Sequence, residues 1–184
     1  EKDLVTIEKE NIYRINPTVS RVEEKILTDE QTKAMEEVKN SLDMFNVFLL
    51  HGITGSGKTE VYIKLVSEVL KNGKTVIMLV PEITLTTQIV KRFYECFGDN
   101  VAIFHSGLSD GEKADEYNKI LRDEAKIVVG TRSSIFVPLK NIGLIVIDEE
   151  HTSSYKQENN PRYHAVDMAI FRAKYNNCPI VLGY

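Results

Sequence analysis

Only two cysteines occur in the 184 residues, Cys96 and Cys178. They lie far apart, without the short paired spacing of a zinc or redox site, and read as reduced thiols in apolar surroundings. No apolar run approaches the roughly 20 residues that a membrane-spanning helix needs, and no segment has the layout of a signal peptide. We therefore expect a cytoplasmic protein with no membrane partner. An excess of positive charge is missing too. The net charge of −4 argues against a uniformly basic nucleic-acid coat, but phosphate binding follows local potential and leaves room for a basic strip. Repeats and low-complexity tracts are absent. What is present, 42% hydrophobic and 27% charged residues, is ordinary for a globular chain. The length suits one domain, with or without a short appendage, burying about 70% of its unfolded surface. The sequence opens on Glu1 rather than Met, so we expect a longer protein around it.

The stretch Leu50 to Glu60, LHGITGSGKTE, carries the first chemistry. Gly52, four residues, then Gly57-Lys58-Thr59 is the P-loop pattern, with an apolar strand before it and an amphipathic run after it. Gly52, Gly55 and Gly57 can take positive φ. The backbone N–H groups of Gly52, Ile53, Thr54, Gly55, Ser56 and Gly57 can then cup phosphate oxygens, aided by the positive end of the following helix. Lys58 would reach the β- and γ-phosphates, and Thr59 would sit on Mg²⁺. The alternative is a glycine-rich turn with no ligand.

Residues 1–25 are polar and broken by Pro17, and read as a lead-in or linker. From residue 26 helices and strands alternate. Thr28 to Gln31 forms a capping box for a helix through about Leu42. A strand near Asn46 to His51 feeds the P-loop, and a helix from Lys58 to about Leu70 ends at Asn72-Gly73. Then come strand Thr75 to Val80, helix Leu85 to Phe97, strand Val101 to Phe104, and a helix capped by Ser109 and Glu112 up to Arg122. Strands Lys126 to Val129 and Leu144 to Ile147, helix Ala165 to Tyr175 and strand Pro179 to Leu182 complete the series. The strands are apolar runs, not alternating patterns, which signals an α/β fold: a parallel sheet with helices on both faces. Ligands gather beyond the carboxyl ends of such strands. The P-loop, Pro81-Glu82, His105-Ser106, Thr131-Arg132 and Asp148-Glu149 all fall there. Asp148 reads as a carboxylate that holds Mg²⁺ through its water shell, and Glu149 as the group that orients or deprotonates the attacking water. A solvated acidic turn is the plainer alternative. His105 and His51 read as structural histidines.

Asp148-Glu149-Glu150-His151 is the DEEH signature of helicase superfamily 2. With Thr152 to Gln157 and Pro161 to Ala165, with Leu27 to Gln31, Pro81 to Thr86 and Val129 to Ser134 in the same order, residues 26–184 resemble the PriA-type family of replication-restart helicases. The resemblance implies a RecA-like first lobe that binds ATP and Mg²⁺. Gln31 would read the adenine edge, or else only complete the capping box. Thr84, Thr86, Gln88, Thr131, Arg132 and Ser133 would grip single-strand backbone. The segment from Thr152 to His164 resembles the aromatic-rich loop that couples DNA contact to hydrolysis. Its Tyr155, Lys156, Arg162 and Tyr163 mix aromatic and basic groups suited to bases and phosphates, and His151 and His164 would carry the coupling. A polar loop whose tyrosines pack on the lobe is the other reading.

The resemblance further implies a monomeric 3′-to-5′ DNA helicase acting on single-stranded and forked DNA, with primosome and single-strand-binding proteins as partners. Zinc is implied only in a segment outside this chain. Two departures stand out: Val166 occupies a position that is usually basic in the family, and Tyr184 stands where the family runs into a Ser-Ala-Thr motif. Motif III, the second lobe with its arginine finger, and the preceding DNA-binding domain are thus expected elsewhere. Rival readings are an ATP-gated DNA-binding module, or another P-loop phosphotransferase such as a small-molecule kinase. The DEEH run and the absence of an arginine-rich lid sequence argue against the kinase.

Overall fold

The computed structural model describes residues 25–53, 55–82 and 88–184; the expected lead-in at its residues 1–24, and Thr54, Thr84 and Thr86, fall outside them. Local chemistry accounts for most element boundaries. Thr28 opens α1, Asp29–Lys39, by accepting from the Gln31 N–H while the Gln31 side chain accepts from the Thr28 N–H. This helix stops three residues short of the expected Leu42. Ser41 and Leu42 bond three residues back, and Asp43 adopts a φ of 73°, so the last turn tightens and breaks.

After it come β1, Val47–Leu50, and α2, Lys58–Lys71. Gly73, at a φ of 69°, ends the turn that follows α2. The chain continues through β2 (Thr75–Leu79), α3 (Gln88–Phe97), β3 (Val101–Phe104) and α4 (Asp110–Leu121), the last with its Ser109–Glu112 capping box formed. Then follow β4 (Ile127–Gly130), a 3-10 turn (Arg132–Phe136) and β5 (Ile142–Ile147). A short hairpin, β6 (Lys156–Gln157) with β7 (Tyr163–His164), leads into α5 (Ala165–Tyr175) and β8 (Ile180–Gly183). The hairpin and the 3-10 turn have no counterpart in the sequence reading, because two-residue strands carry no periodicity to detect.

Among the described residues six strands form one parallel sheet in the order β1-β8-β5-β2-β4-β3. Successive residues point to opposite faces, and both faces are apolar. Val76, Met78 and Val146 join a core with Leu65 of α2 and Phe93 of α3. Ile77, Leu79 and Ile147 join another with Ile120 of α4 and Ala169 of α5. This two-sided burial explains why the strands read as unbroken apolar runs. The chain has the α/β RecA-like fold, helices covering both faces. Cys178 is buried, Cys96 half-buried, and both are free.

The register brings the strand ends level. Leu50 pairs with Gly183, Ile147 with Leu182 and Leu79, Leu79 with Gly130, and Gly130 with Phe104. Beyond them the ladder continues for one residue: Tyr184 N–H donates to Leu50 O, Asp148 N–H to Leu79 O and Thr131 N–H to Phe104 O. The polar clusters that follow the strands therefore share one edge of the molecule.

At the sheet's outer border, Ile103 on β3 donates its N–H to Glu116, 2.6 Å away, and Lys119 donates to the other carboxylate oxygen, also at 2.6 Å. Glu116 is fully buried. Burial pushes its carboxyl above the usual range, against the pull of Lys119 and the Ile103 N–H. The pair satisfies an edge-strand donor that would otherwise invite pairing. Glu116→Ala should cost about 3–5 kcal/mol, the loss expected when one member of a buried pair is removed. Glu116→Gln, which keeps an acceptor for Ile103, should cost less. Urea unfolding midpoints check this, and equal midpoints for wild type and Glu116→Ala would refute it.

Candidate nucleotide site and the adjoining polar face

The P-loop and the tip of β5 meet. A cavity of about 560 Å³ is lined by Gly55 to Glu60 from the loop and start of α2, by Arg92 of α3, and by Asp148 and Glu149. Gly55 and Gly57 hold φ of 83° and 85°, the left-handed region where a side chain is strained. Gly52 is not in that region, contrary to expectation. Its need for glycine is space, since a Cβ there would stand 2.6 Å from Ser56 Oγ.

Gly57 is also the N-cap of α2, and it has no side chain to close the helix. The first amides of α2 thus have no capping side chain and lie where an anion is favoured. Lys58 turns its ammonium back onto the carbonyls of Gly52 and Ile53. Thr59 is half-buried and Ile53 exposed.

Asp148 faces this loop from a mostly buried position. Burial pushes its carboxyl above the usual range. The hydrogen bond from Tyr62 opposes that shift, nearby Glu149 reinforces it, and the Lys58 charge opposes it. Glu149 adopts a φ of 48° and remains half-exposed at the cavity. Among the described residues no cluster of three or more His, Cys, Asp or Glu could hold a metal unaided. The donor set is instead one hydroxyl and one or two carboxylates beside a phosphate-shaped loop. That suits Mg²⁺, which takes few protein ligands and completes its shell with phosphate and water. The residues therefore fit a nucleotide–magnesium pair.

Sequence reasoning missed two features of this cavity. Arg92 Nε and Nη2 bind Glu60 at 3.1 and 3.0 Å. Burial pushes Glu60 up, but Arg92 outweighs it and holds the carboxyl below its usual range. Tyr62 donates to Asp148 Oδ1 at 3.0 Å, and nothing in the helical pattern of α2 singles it out.

Residues 24–183 match the family described as "Type III restriction enzyme, res subunit". Over its full length the chain is 53% identical to the replication restart protein PriA of Bacillus subtilis and 46% identical to that of Synechocystis. The chain belongs to the family that this model describes, and it is similar over its whole length to the PriA proteins. It spans 23% and 22% of those two PriA proteins. Among solved structures, the UvsW helicase of bacteriophage T4 matches 92% of the chain and 56% of its own, with a TM-score of 0.59 at 19% identity. RecG bound to a three-way DNA junction matches 86% of the chain and 21% of its own, with a TM-score of 0.59 at 23% identity. At such identities these two show the fold alone.

Of the other described residues expected in the PriA-type pattern, those after β4 lie along the same strand edge. Thr131, Arg132 and Ser133 line a second cavity of about 300 Å³ with His105 and Ser106. The Arg132 guanidinium donates to the carbonyls of Ser154 and Lys156, both at 3.2 Å, so it braces the loop. Gln88 starts α3. Lys156 and Arg162 are exposed, and Tyr163 and His164 half-buried. His151 is exposed and lies against the Tyr184 ring at 4.7 Å, with His51 at 5.4 Å from the same ring. Val166 is buried on the inner side of α5, so no basic strip passes through it.

Tyr155 is a correction. Placed by the resemblance among the groups suited to bases, it is fully buried and donates to the Asp148 carbonyl at 2.6 Å, leaving no face on which a base could stack; for this tyrosine the reading of a ring packed on the lobe holds.

Gln31 completes the expected capping box and also reaches the P-loop. Its Nε2 donates to Ser56 O at 2.7 Å. Val38 of α1 is buried, Met35 packs beside it and Lys39 pairs with Glu68 of α2 at 3.0 Å, and this polar tie adds the contact between α1 and the P-loop. Gln31→Ala should lower stability by about 1 kcal/mol and speed hydrogen exchange at the amides of residues 55–57. Unchanged exchange there would show that the tie does not hold the loop.

Proposed function

We propose that this chain is the ATP-binding first lobe of a 3′-to-5′ DNA helicase that remodels stalled replication forks and starts primosome assembly. One observation carries the reading: the P-loop lysine and the β5 carboxylates line a single cavity. The family membership supports it, and the fork and primosome roles rest on the likeness to the PriA relatives.

In this reading the amides of residues 52–57 and the Lys58 ammonium hold the triphosphate tail. For that, Lys58 exchanges the carbonyls of Gly52 and Ile53 for phosphate oxygens, which offer stronger, charge-assisted bonds. Thr59, and Asp148 through the water shell, would hold Mg²⁺, and Glu149 would orient or deprotonate the attacking water. Gln31 contacts the adenine edge, exchanging the Thr28 N–H and the Ser56 carbonyl for the base. Magnesium ATP, when bound, supplies the phosphoryl bond whose hydrolysis drives movement. Thr84, Thr86, Gln88, Thr131, Arg132 and Ser133 hold the strand, with Lys156, Arg162 and Tyr163 on the adjoining loop. His151 and His164 link that loop to the cavity. The protein acts in the cytoplasm as a monomer, with single-strand-binding and primosome proteins as partners, and carries zinc in a segment outside this chain.

In the intact protein, Lys58→Ala should lower single-strand-stimulated ATP hydrolysis by about 10²–10³-fold, the range found when one transition-state donor is removed. It should also abolish fork unwinding. Wild-type protein that hydrolyses ATP on DNA without separating a fork would favour a gated binding module instead. The 184-residue chain alone should turn over ATP near background, because an arginine finger supplies about 10³–10⁵ in rate in related hydrolases. Strong DNA-stimulated turnover by the chain alone would contradict a site shared between two lobes.

A further inference from the structure

Asp148 is held from two directions by buried phenols, and nothing in the reading above uses either. Tyr62 lies four residues after Lys58 on α2, on the same side of the helix. One helical face thus presents an ammonium to the P-loop and a hydroxyl to Asp148. Tyr62 is fully buried, and its Oη donates to Asp148 Oδ1 at 3.0 Å. Burial, then the Asp148 charge, holds the phenol far above its usual range, so it acts only as a donor.

The tip of β8 makes room for this contact. A Cβ on Gly183 would stand 2.0 Å from Tyr62 Oη and 3.0 Å from Asp148 Oδ1. From the opposite side, Tyr155 donates to the backbone carbonyl of Asp148 at 2.6 Å. Arg132 brackets Tyr155 by binding the carbonyls on either side of it. Side chain and backbone of one residue are each pinned by a separate element.

We infer that Tyr62 is a positioning residue for Asp148: its hydroxyl fixes the carboxylate at the cavity wall before any metal arrives, and Tyr155 fixes the backbone beneath it. The inference rests on Asp148 holding the metal, directly or through its water shell. Groups that orient a ligating side chain are worth about 10–100-fold in metal affinity. A competing account has Asp148 merely satisfying a buried phenol, as buried tyrosines require. The two differ in whether removing one hydroxyl reaches the metal.

The test uses the intact protein with Mn²⁺ as probe, following by electron paramagnetic resonance the part of Mn²⁺ binding that depends on added ADP. Tyr62→Phe keeps the ring and its volume. It should weaken that binding about tenfold while leaving metal-free ADP binding as in wild type. Gly183→Ala, which keeps the hydroxyl but displaces it, should weaken Mn²⁺ comparably. Wild-type Mn²⁺ affinity in Tyr62→Phe, beside a large loss in Asp148→Asn, would overturn the positioning role and leave the metal assignment standing, even if the melting temperature fell. Wild-type affinity in Asp148→Asn would overturn both.

Discussion

Everything in this lobe depends on the level carboxyl edge of the parallel sheet. Six strands stop within a residue of one another, and the backbone ladder reaches one step past them, at Asp148, Thr131 and Tyr184. Each following loop begins from a fixed point, with a hydrogen-bonded amide behind it. β8 separates β1 from β5, so the P-loop and Asp148 stand one strand apart with a cavity between them. Gly183 at the tip of β8 keeps that gap open to Tyr62. The chemistry is loop chemistry, but rigid strand ends set its geometry.

Charge at the cavity is balanced before any ligand enters. Lys58 leans on carbonyl oxygens of its own loop, Arg92 is occupied by Glu60, and Asp148 takes a phenol hydrogen bond. Burial works against the Asp148 carboxylate and is partly offset by Tyr62 and Lys58. A divalent cation at that position would remove the remaining penalty, since a bound ion is the largest local charge in such a site. The polar face beyond β4 is joined to this arrangement through hydrogen bonds. Arg132 grips the loop around Tyr155, and Tyr155 grips the backbone of Asp148.

Local signals made much of this legible in the sequence. Both capping boxes form as written, because Thr28/Gln31 and Ser109/Glu112 need only neighbours three residues away. Strands buried on both faces announced a parallel sheet, and the P-loop glycines announced their turn. What depends on distant partners was not legible. The strand order is set by packing across the sheet. The two roles of Tyr155 differ only in whether its ring points in or out, which a tyrosine in a polar loop does not reveal. Gln31 meets Ser56 across 25 residues of sequence, and the Arg92–Glu60 pair joins two helices across 32 residues. The end of α1 moved because Asp43 took a left-handed turn that an aspartate tolerates but does not advertise.

The central claim is that Lys58 and Asp148 hold opposite sides of one nucleotide–magnesium pair. A crystal structure with magnesium and a non-hydrolysable ATP analogue tests it most directly. The account predicts phosphate oxygens within hydrogen-bonding distance of the amides of residues 55–59, Lys58 moved off the Gly52 and Ile53 carbonyls onto them, and the metal between Thr59 and Asp148. A bound nucleotide that leaves Lys58 on those carbonyls, or a metal placed away from Asp148, would contradict it.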